Sequence, residues 1–321
     1  MGYDFHLTPA GPRLIEINTN AGGALLNGLH TASLCDPEKL ACMCTDLMAV
    51  ETVQARLVAT FVAEHALARP GVPLRRVVIA DDRPDTQFLR AEFDLFVRLF
   101  EHSGIEASVS DVRELVRTGG ALTLAGRPVD LVYLRDTDWR LIDPRSQALR
   151  EAYLAGEVVV TPSPREHHLL ADKRRMAFFS SQSLLVELGV PADEAAFLTE
   201  VVPETLSLEE LGLARAWAER HSWVFKPADA FASRAVYRGD KISRVKFDAI
   251  AAQGGFVAQR RVEPGEIPVR TTEGVRPMKF DVRAYAYRDD VLLLGARVYQ
   301  GQVTNLRTPG GGFSAICVIR S

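Results

Sequence analysis

The chain has 321 residues, of which 47% are hydrophobic and 25% charged. That composition supports two or three domains with their own cores and excludes a disordered chain, a collagen-like repeat or a disulfide-stapled miniprotein. With 38 basic against 41 acidic residues, a formal charge of −3, no apolar run near ~18 residues and no signal-peptide pattern in MGYDFHL, neither nucleic acid nor membrane is an expected partner and a cytoplasmic location is expected.

The chain opens on GYDFHLTPAGPRLIEINTNAGG. IEIN puts Glu16 and Asn18 at i and i+2, on one face of an extended strand, and the turn from Pro9 to Pro12 folds the chain so that Asp4 faces them. Three hard oxygen donors on one face suit Mg²⁺, which takes oxygen ligands and keeps one or two carboxylates beside substrate phosphates. The plain alternative is a polar strand face turned to solvent. A Gly/Asn-rich loop follows, read from Asn18 to Leu34. Beyond it Cys35, Cys42 and Cys44 lie near His30, but no pair has the C-x-x-C spacing with which two thiolates share one zinc, so reduced thiols are expected. Cys317, alone in an apolar end, reads as core.

The middle of the chain alternates strand and helix. Arg76 to Asp81 (RVVIAD) is a short β-branched run; an amphipathic stretch carries Phe88, Phe93, Phe96 and Phe100; Gly104 stops it; IEASVSD follows as a second strand. ALTLAG and VDLVYLRD, between Ala121 and Asp136, read as a hairpin-like pair, and Val158 to Val160 closes another strand. This rhythm predicts a small parallel-sheet α/β domain from about Arg75 to Pro164.

Beyond Pro164 the texture is α+β. ADKRR reads as a helix carrying Asp172 and Lys173, Gly189-Val190-Pro191 leads into AAFLTEVV, SLEELGLARAWAERH reads as one helix, and strands joined by turns run to Ile319. With 32 Arg and only six Lys, the lysines are informative. Lys226 ends the apolar strand of SWVFKPADA, where a charge needs a partner, and a lysine so placed acts as a point charge on α- and β-phosphates; a snorkelling surface side chain is the alternative. FVAQRRVEPGE reads as a strand passing into a turn, where the main chain of Gln259, Arg260 and Val262 would present an N–H and C=O pair to an adenine edge and Glu266, after Gly265, would accept ribose hydroxyls. KFDVRAYAYRDDVLLLGARVYQGQVTNLRTPGGG puts Asp281 and Arg283 on one strand face, with a turn at Arg288 to Asp290 bringing back a partner strand ending in Arg297. Asn305, Arg307 and three glycines follow. Arginines on one face beside a glycine loop are what a site handling phosphate oxygens requires.

Taken in order, Lys173 in its DK pair, GVP, VFKP, QRRVEPGE, DVR, AR and TNLRTPGGG resemble the signature of the ATP-grasp superfamily of carboxylate–amine ligases. FDVRAYAY to TNLRTPGGG is similar to the glutamate ligases that modify ribosomal proteins, and GYDF with EIN is similar to the closing metal motif of glutathione synthetase and D-alanine:D-alanine ligase. The matching segments run from Ala171 to Phe313 and over the first 23 residues. In the family the GYDF and EIN pair usually follows the glycine loop, with a helix between them; here it stands at the N-terminus and that helix is missing, so the resemblance implies a circularly permuted ATP-grasp fold. Its parts are residues 1–50 as the displaced metal-binding strand pair and loop, 75–164 as the preceding α/β domain, and 165–321 as the nucleotide-binding domain. A second departure is ADAFASRAV after Lys226, poorer in glycine than the family's phosphate loop, with Arg234 as a compensating cation.

The resemblance implies an ATP-dependent ligase that forms an acyl phosphate with Mg²⁺ and passes the acyl group to an amine or similar nucleophile. Asp4, Glu16 and Asn18 are then the metal ligands; Lys173 and Lys226 sit on the α/β-phosphates; Gln259, Arg260, Val262 and Glu266 hold the nucleoside; Arg283 and Arg297 act at the transferring phosphoryl, with Asn305 ordering their loop. The expected partners are small-molecule carboxylate and amine substrates, with a homodimer left open. A phosphotransferase, or a nucleotide-binding protein without turnover on the same fold, is the alternative.

Overall fold

The computed structural model describes residues 1–34, 50–229, 235–271, 274–316 and 318; Cys35, Cys42, Cys44, Cys317 and Arg234 lie outside the described residues. Among them, no helix is long and apolar enough to cross a membrane. The described residues divide into two units, one of Met1–Asn18, His168–Ala284 and Gly295–Ser314, the other of Thr19–His167, Tyr285–Leu294 and the stretch that begins at Ala315.

The first unit opens on β1 (Gly2–Thr8) and β2 (Gly11–Asn18), antiparallel from Gly2↔Asn18 to Thr8↔Gly11. Gly11, at φ 102, takes the positive-φ corner of the turn. Tyr3 and Phe5 pack against Leu14, Ile17, Met176 and Val202, so strand alternation puts Asp4 and His6, both buried, on the other face. The register shifts between Asp4, opposite Glu16, and Phe5, opposite Leu14. Ile15 is therefore the extra residue of a β-bulge, outside the ladder.

The second unit holds the parallel sheet. β3 (Arg76–Asp81), β4 (Glu106–Asp111), β5 (Leu115–Thr118), β6 (Ala121–Leu124), β7 (Arg127–Pro128), β8 (Leu131–Leu134) and β9 (Val159–Thr161) follow in the chain, and the four-stranded sheet runs β4-β3-β8-β9 with every pair parallel. Val77 to Ala80 are fully buried, as a strand covered on both faces requires. Helix Arg90–His102 lays Phe93, Phe96 and Phe100 into this core, whereas Phe88 stands before the helix and is exposed. Two expectations are corrected. The hairpin read between Ala121 and Asp136 does not form: β6 pairs with β5 and β7, while β8 joins the parallel sheet, because its LVYL run is apolar on both faces and the sheet interior buries both. The loop read from Asn18 to Leu34 becomes helix Ala24–Leu34, started by the Glu92 carboxylate, which accepts the N–H of Gly23 at 2.8 Å and of Leu25 at 3.0 Å.

The first unit continues with β10 (Thr205–Ser207), β11 (Trp223–Pro227), β12 (Tyr237–Arg238) and β13 (Phe256–Arg260), ordered β10-β13-β11-β12. Trp223, Phe225, Phe256 and Ala258 turn one face of this sheet onto Phe247 and Ile250 of helix Arg244–Gln253. β14 (Gly265–Thr271), β15 (Gly274–Tyr287), β16 (Asp290–Tyr299) and β17 (Gly312–Ala315) complete the sheet β17-β16-β15-β1-β2, with β14 paired to β15. The N-terminal strand thus lies against the strand of Asp281 and Arg283. Asp172 and Lys173 occupy a turn between helical segments rather than a helix, SLEELGLARAWAERH breaks at Gly212, and Glu266 is on β14, opposite Lys279, rather than in a turn.

Candidate functional site

The first unit gathers four cations and three carboxylates, from β1, β2, β15 and β16 of one sheet, β11 of another and the turn of Lys173. Asp4, with no exposed surface, accepts Arg283 Nε on Oδ1 at 2.6 Å and, on Oδ2, Arg283 Nη2 at 2.7 Å, Arg297 Nη2 at 2.8 Å and Asn18 Nδ2 at 2.9 Å. Arg297 Nε reaches Asp281 Oδ1 at 2.6 Å, and Thr304 Oγ1 donates to the other oxygen of Asp281 at 2.6 Å. Lys173, held in its turn by its N–H bond to Ala228 O at 2.8 Å, brings its ammonium to Glu16 Oε1 at 3.2 Å. Lys226, at the end of β11, donates to Ile15 O at 3.0 Å and to Gln259 Oε1 at 2.7 Å. The bulge supplies that Ile15 carbonyl by removing it from the β1–β2 ladder.

Burial would raise the carboxyls of Asp4 and Glu16, but the cations outweigh it: Arg283 and Arg297 hold Asp4 below the ordinary carboxylate value, and Lys173 with Lys226 does the same to Glu16. Burial lowers the Lys226 ammonium to about 8, against the pull of Glu16. Arg283, Arg297, Lys173 and Lys226 exceed Asp4, Glu16 and Asp281 by one charge. The net positive charge of this set is complementary to an anion.

The structure brings together Asp4, Glu16, Asn18, Lys173, Lys226, Gln259, Arg283 and Arg297. The other residues singled out from sequence have their groups committed elsewhere. Arg260 donates to Glu204 at 2.7 Å and lies over the Trp223 ring, with its N–H on Glu204 O; the N–H of Arg261 goes to Ser222 O; the Val262 carbonyl is bonded to His6 Nδ1 at 2.9 Å. The main-chain pair read as an adenine edge is thus largely spent within the protein. Glu266 is exposed. Asn305, also exposed, accepts the Arg307 N–H at 3.0 Å and shapes its own loop. Sequence reasoning passed over His6, Thr205 and Thr304, although His6 shares the parity of Asp4 on β1.

The predicted donor set has the chemistry Mg²⁺ takes, with its oxygens unequally occupied by protein donors. Three N–H groups crowd Oδ2 of Asp4 and one, from Arg283, meets Oδ1, so Asp4 orients two guanidiniums and Oδ1 is the oxygen with acceptor capacity left for a metal. Glu16 meets a single lysine among the bonds above, and Asn18, having turned its Nδ2 to Asp4, presents Oδ1 as the remaining acceptor. These two oxygens and Asp4 Oδ1, with phosphates and water, make a donor set of the kind Mg²⁺ takes. Among the described residues no three of His, Cys, Asp and Glu group as a metal site.

No family model and no curated protein matches the sequence. Two solved structures with a TM-score above 0.5 share its fold. A glutathione synthetase-like effector from Globodera pallida is 14% identical over 93% of this chain and 68% of its own, with a TM-score of 0.58. A candidate gamma-glutamylcysteine synthetase from Methylobacillus flagellatus is 15% identical over 99% of this chain and 79% of its own, also at 0.58. The ATP-grasp ligase PsnB, complexed with a minimal precursor, is 18% identical over 72% of this chain and 78% of its own, at a TM-score of 0.37.

Proposed function

Because this chain has the ATP-grasp ligase fold, we propose that it is an ATP-dependent ligase joining a small carboxylate to an amine through an acyl phosphate. The observation that carries this reading is the buried cluster in which Asp4 and Asp281 hold Arg283 and Arg297 while Lys173 and Lys226 face Glu16. A carboxylate oxygen of the substrate attacks the γ-phosphorus of ATP as the bond to ADP breaks; the amine then attacks the acyl carbon, phosphate leaves, and the amine gives up a proton. Both steps move negative charge over phosphate oxygens, and fixed cations in a desolvated site stabilise that charge most. Arg283 and Arg297 would take the transferring phosphoryl group, their planes set in advance by Asp4 and Asp281. Lys173 and Lys226 would bind the α/β-phosphates, with the β13–β14 connection and Glu266 toward the nucleoside. Glu16, Asn18 Oδ1 and Asp4 Oδ1 would hold Mg²⁺, which when bound neutralises phosphate oxygens.

The place of β1 beside β15 supports reading the N-terminal hairpin as the metal-binding strand pair of this fold, moved to the start of the chain by circular permutation. The test is product analysis across amino acids and small carboxylates paired with amines. Release of ADP and phosphate only when both are present is the expected result; a stable phosphorylated product would make the protein a phosphotransferase, and nucleotide binding without turnover under any pairing would reject both.

A further inference from the structure

Gln259 does something other than read a base. On β13 it lies directly opposite Thr205 of β10, and on the other side it faces Val224, two residues from Lys226 on the same face of β11. Its side chain is 3% exposed. Its Nε2 donates to Thr205 Oγ1 at 3.3 Å, its Oε1 accepts from Lys226 Nζ at 2.7 Å, and Thr205 Oγ1 donates to Pro203 O at 2.9 Å. A hydroxyl has one proton, and here Pro203 O takes it, so Thr205 can only accept from the amide. That fixes which end of the amide faces Thr205 and aims the proton-free oxygen at the ammonium.

A lysine is ordinarily a point charge on a flexible stem with three rotatable donors. Two donors of Lys226 go to acceptors held by the sheet, Ile15 O and Gln259 Oε1, which fixes the direction of the third. A neutral amide achieves this without cancelling the charge, whereas a carboxylate in its place would. We propose that Gln259, backed by Thr205, is the positioning residue of Lys226 and aims its remaining N–H at the phosphate oxygens of the nucleotide. The proposal rests on the reading of this site as a nucleotide site.

The experiment is calorimetric titration of Mg·ADP and of adenosine into the wild type, Gln259→Met, Lys226→Met and the double variant. Gln259→Met is expected to weaken ADP on the order of tenfold, to leave adenosine within about twofold, and to cost about twofold or less once Lys226 is already Met. An equal loss for adenosine and ADP, or an undiminished loss in the Lys226→Met background, overturns the proposal. Should Gln259→Met not fold, Thr205→Val carries the same comparison, since it releases the amide without touching the lysine. If the wild type binds no nucleotide, the proposed function fails, and the positioning role is decided in the unliganded protein by the ¹⁵N signal of the Lys226 ammonium. Slow proton exchange there that is lost in Gln259→Met supports the role; an unchanged signal overturns it.

Discussion

Two arginine–aspartate networks in this chain use the same chemistry to different ends. At the carboxyl ends of the parallel sheet, half-exposed Arg113 pairs with Asp111 and Asp82, each at 2.7 Å, and Arg145 with Asp143 and, at 3.0 Å, with Asp136. Most of these partners are two to nine residues apart and settle around strand ends that the sheet has already placed. In the β1–β15–β16 cluster, Asp4 meets Arg283 and Arg297 across 279 and 293 residues of chain, and both aspartates there are fully buried, whereas in the first network Asp136 is but Asp82, Asp111 and Asp143 are partly exposed. Exposed pairs are worth about 0–1 kcal/mol, whereas burying ions costs several kcal/mol that their attraction only partly returns. A buried network with an excess positive charge is therefore poor value for stability alone, and its retention fits a site kept ready for an anion.

The sharpest way to break the contrast is Asp4→Asn against Asp82→Asn. The first leaves Arg283 without its carboxylate in a buried site and is expected to cost about 3–5 kcal/mol in urea unfolding; the second, on the half-exposed network, about 1 kcal/mol or less. Because the Asp4 carboxyl is held below its unfolded value, its stabilisation is present above the ordinary aspartate range and is lost as pH falls through the folded pKa. Asp4→Asn should accordingly flatten the acid limb of the stability profile. Equal costs for the two variants would make the clusters alike.

Next in size are the oxygens offered to a metal. Glu16→Gln and Asn18→Ala are each expected to lower turnover by at least about a hundredfold while the variants still fold. A variant that loses stability but keeps its rate per folded molecule would make these residues structural.

Lys226→Met removes one cation and keeps the apolar stem. A charge-assisted contact of about 1.5–3 kcal/mol predicts a ten- to hundredfold loss of ATP-analogue affinity with little change in folding. With the ammonium at about 8, wild-type affinity should decline as pH rises through that value, and the variant should show no such step. Stability runs the other way: the folded state gives up this proton before the unfolded one, so between about 8 and the ordinary lysine value this group makes the fold more stable as pH rises.

The smallest effect belongs to the parallel sheet. Burial lifts the Asp81 carboxyl to about 6, against the N–H of Asp82 and the charge of Arg135, so the charged form costs stability as pH rises from the ordinary aspartate range through 6. Asp81→Asn is expected to stabilise the protein on the order of 1 kcal/mol at pH 7 and negligibly at pH 4. Equal effects at both pH values would mean that the carboxyl is not buried in the way described.

Strand periodicity, read without coordinates, was enough for the face shared by Glu16 and Asn18, for Asp281 beside Arg283, and for β3, β4 and the Phe93, Phe96 and Phe100 stripe, because two- and 3.6-residue repeats are local properties of the chain. The order of short motifs pointed to the ATP-grasp fold. Tertiary structure alone decided what each polar group spends its bonds on. Asp4 read as a carboxylate on a strand face, and only the folded chain brings Arg283 and Arg297 from far along the sequence onto it. The main chain of Arg260 and Val262 read as an adenine edge until Glu204 and His6 met it. The LVYL segment went to the parallel sheet because burial on both faces outweighed a nearby turn. Hydrogen-bond capacity is written in the sequence residue by residue, but a donor's partner is set by strands that meet only in the folded chain.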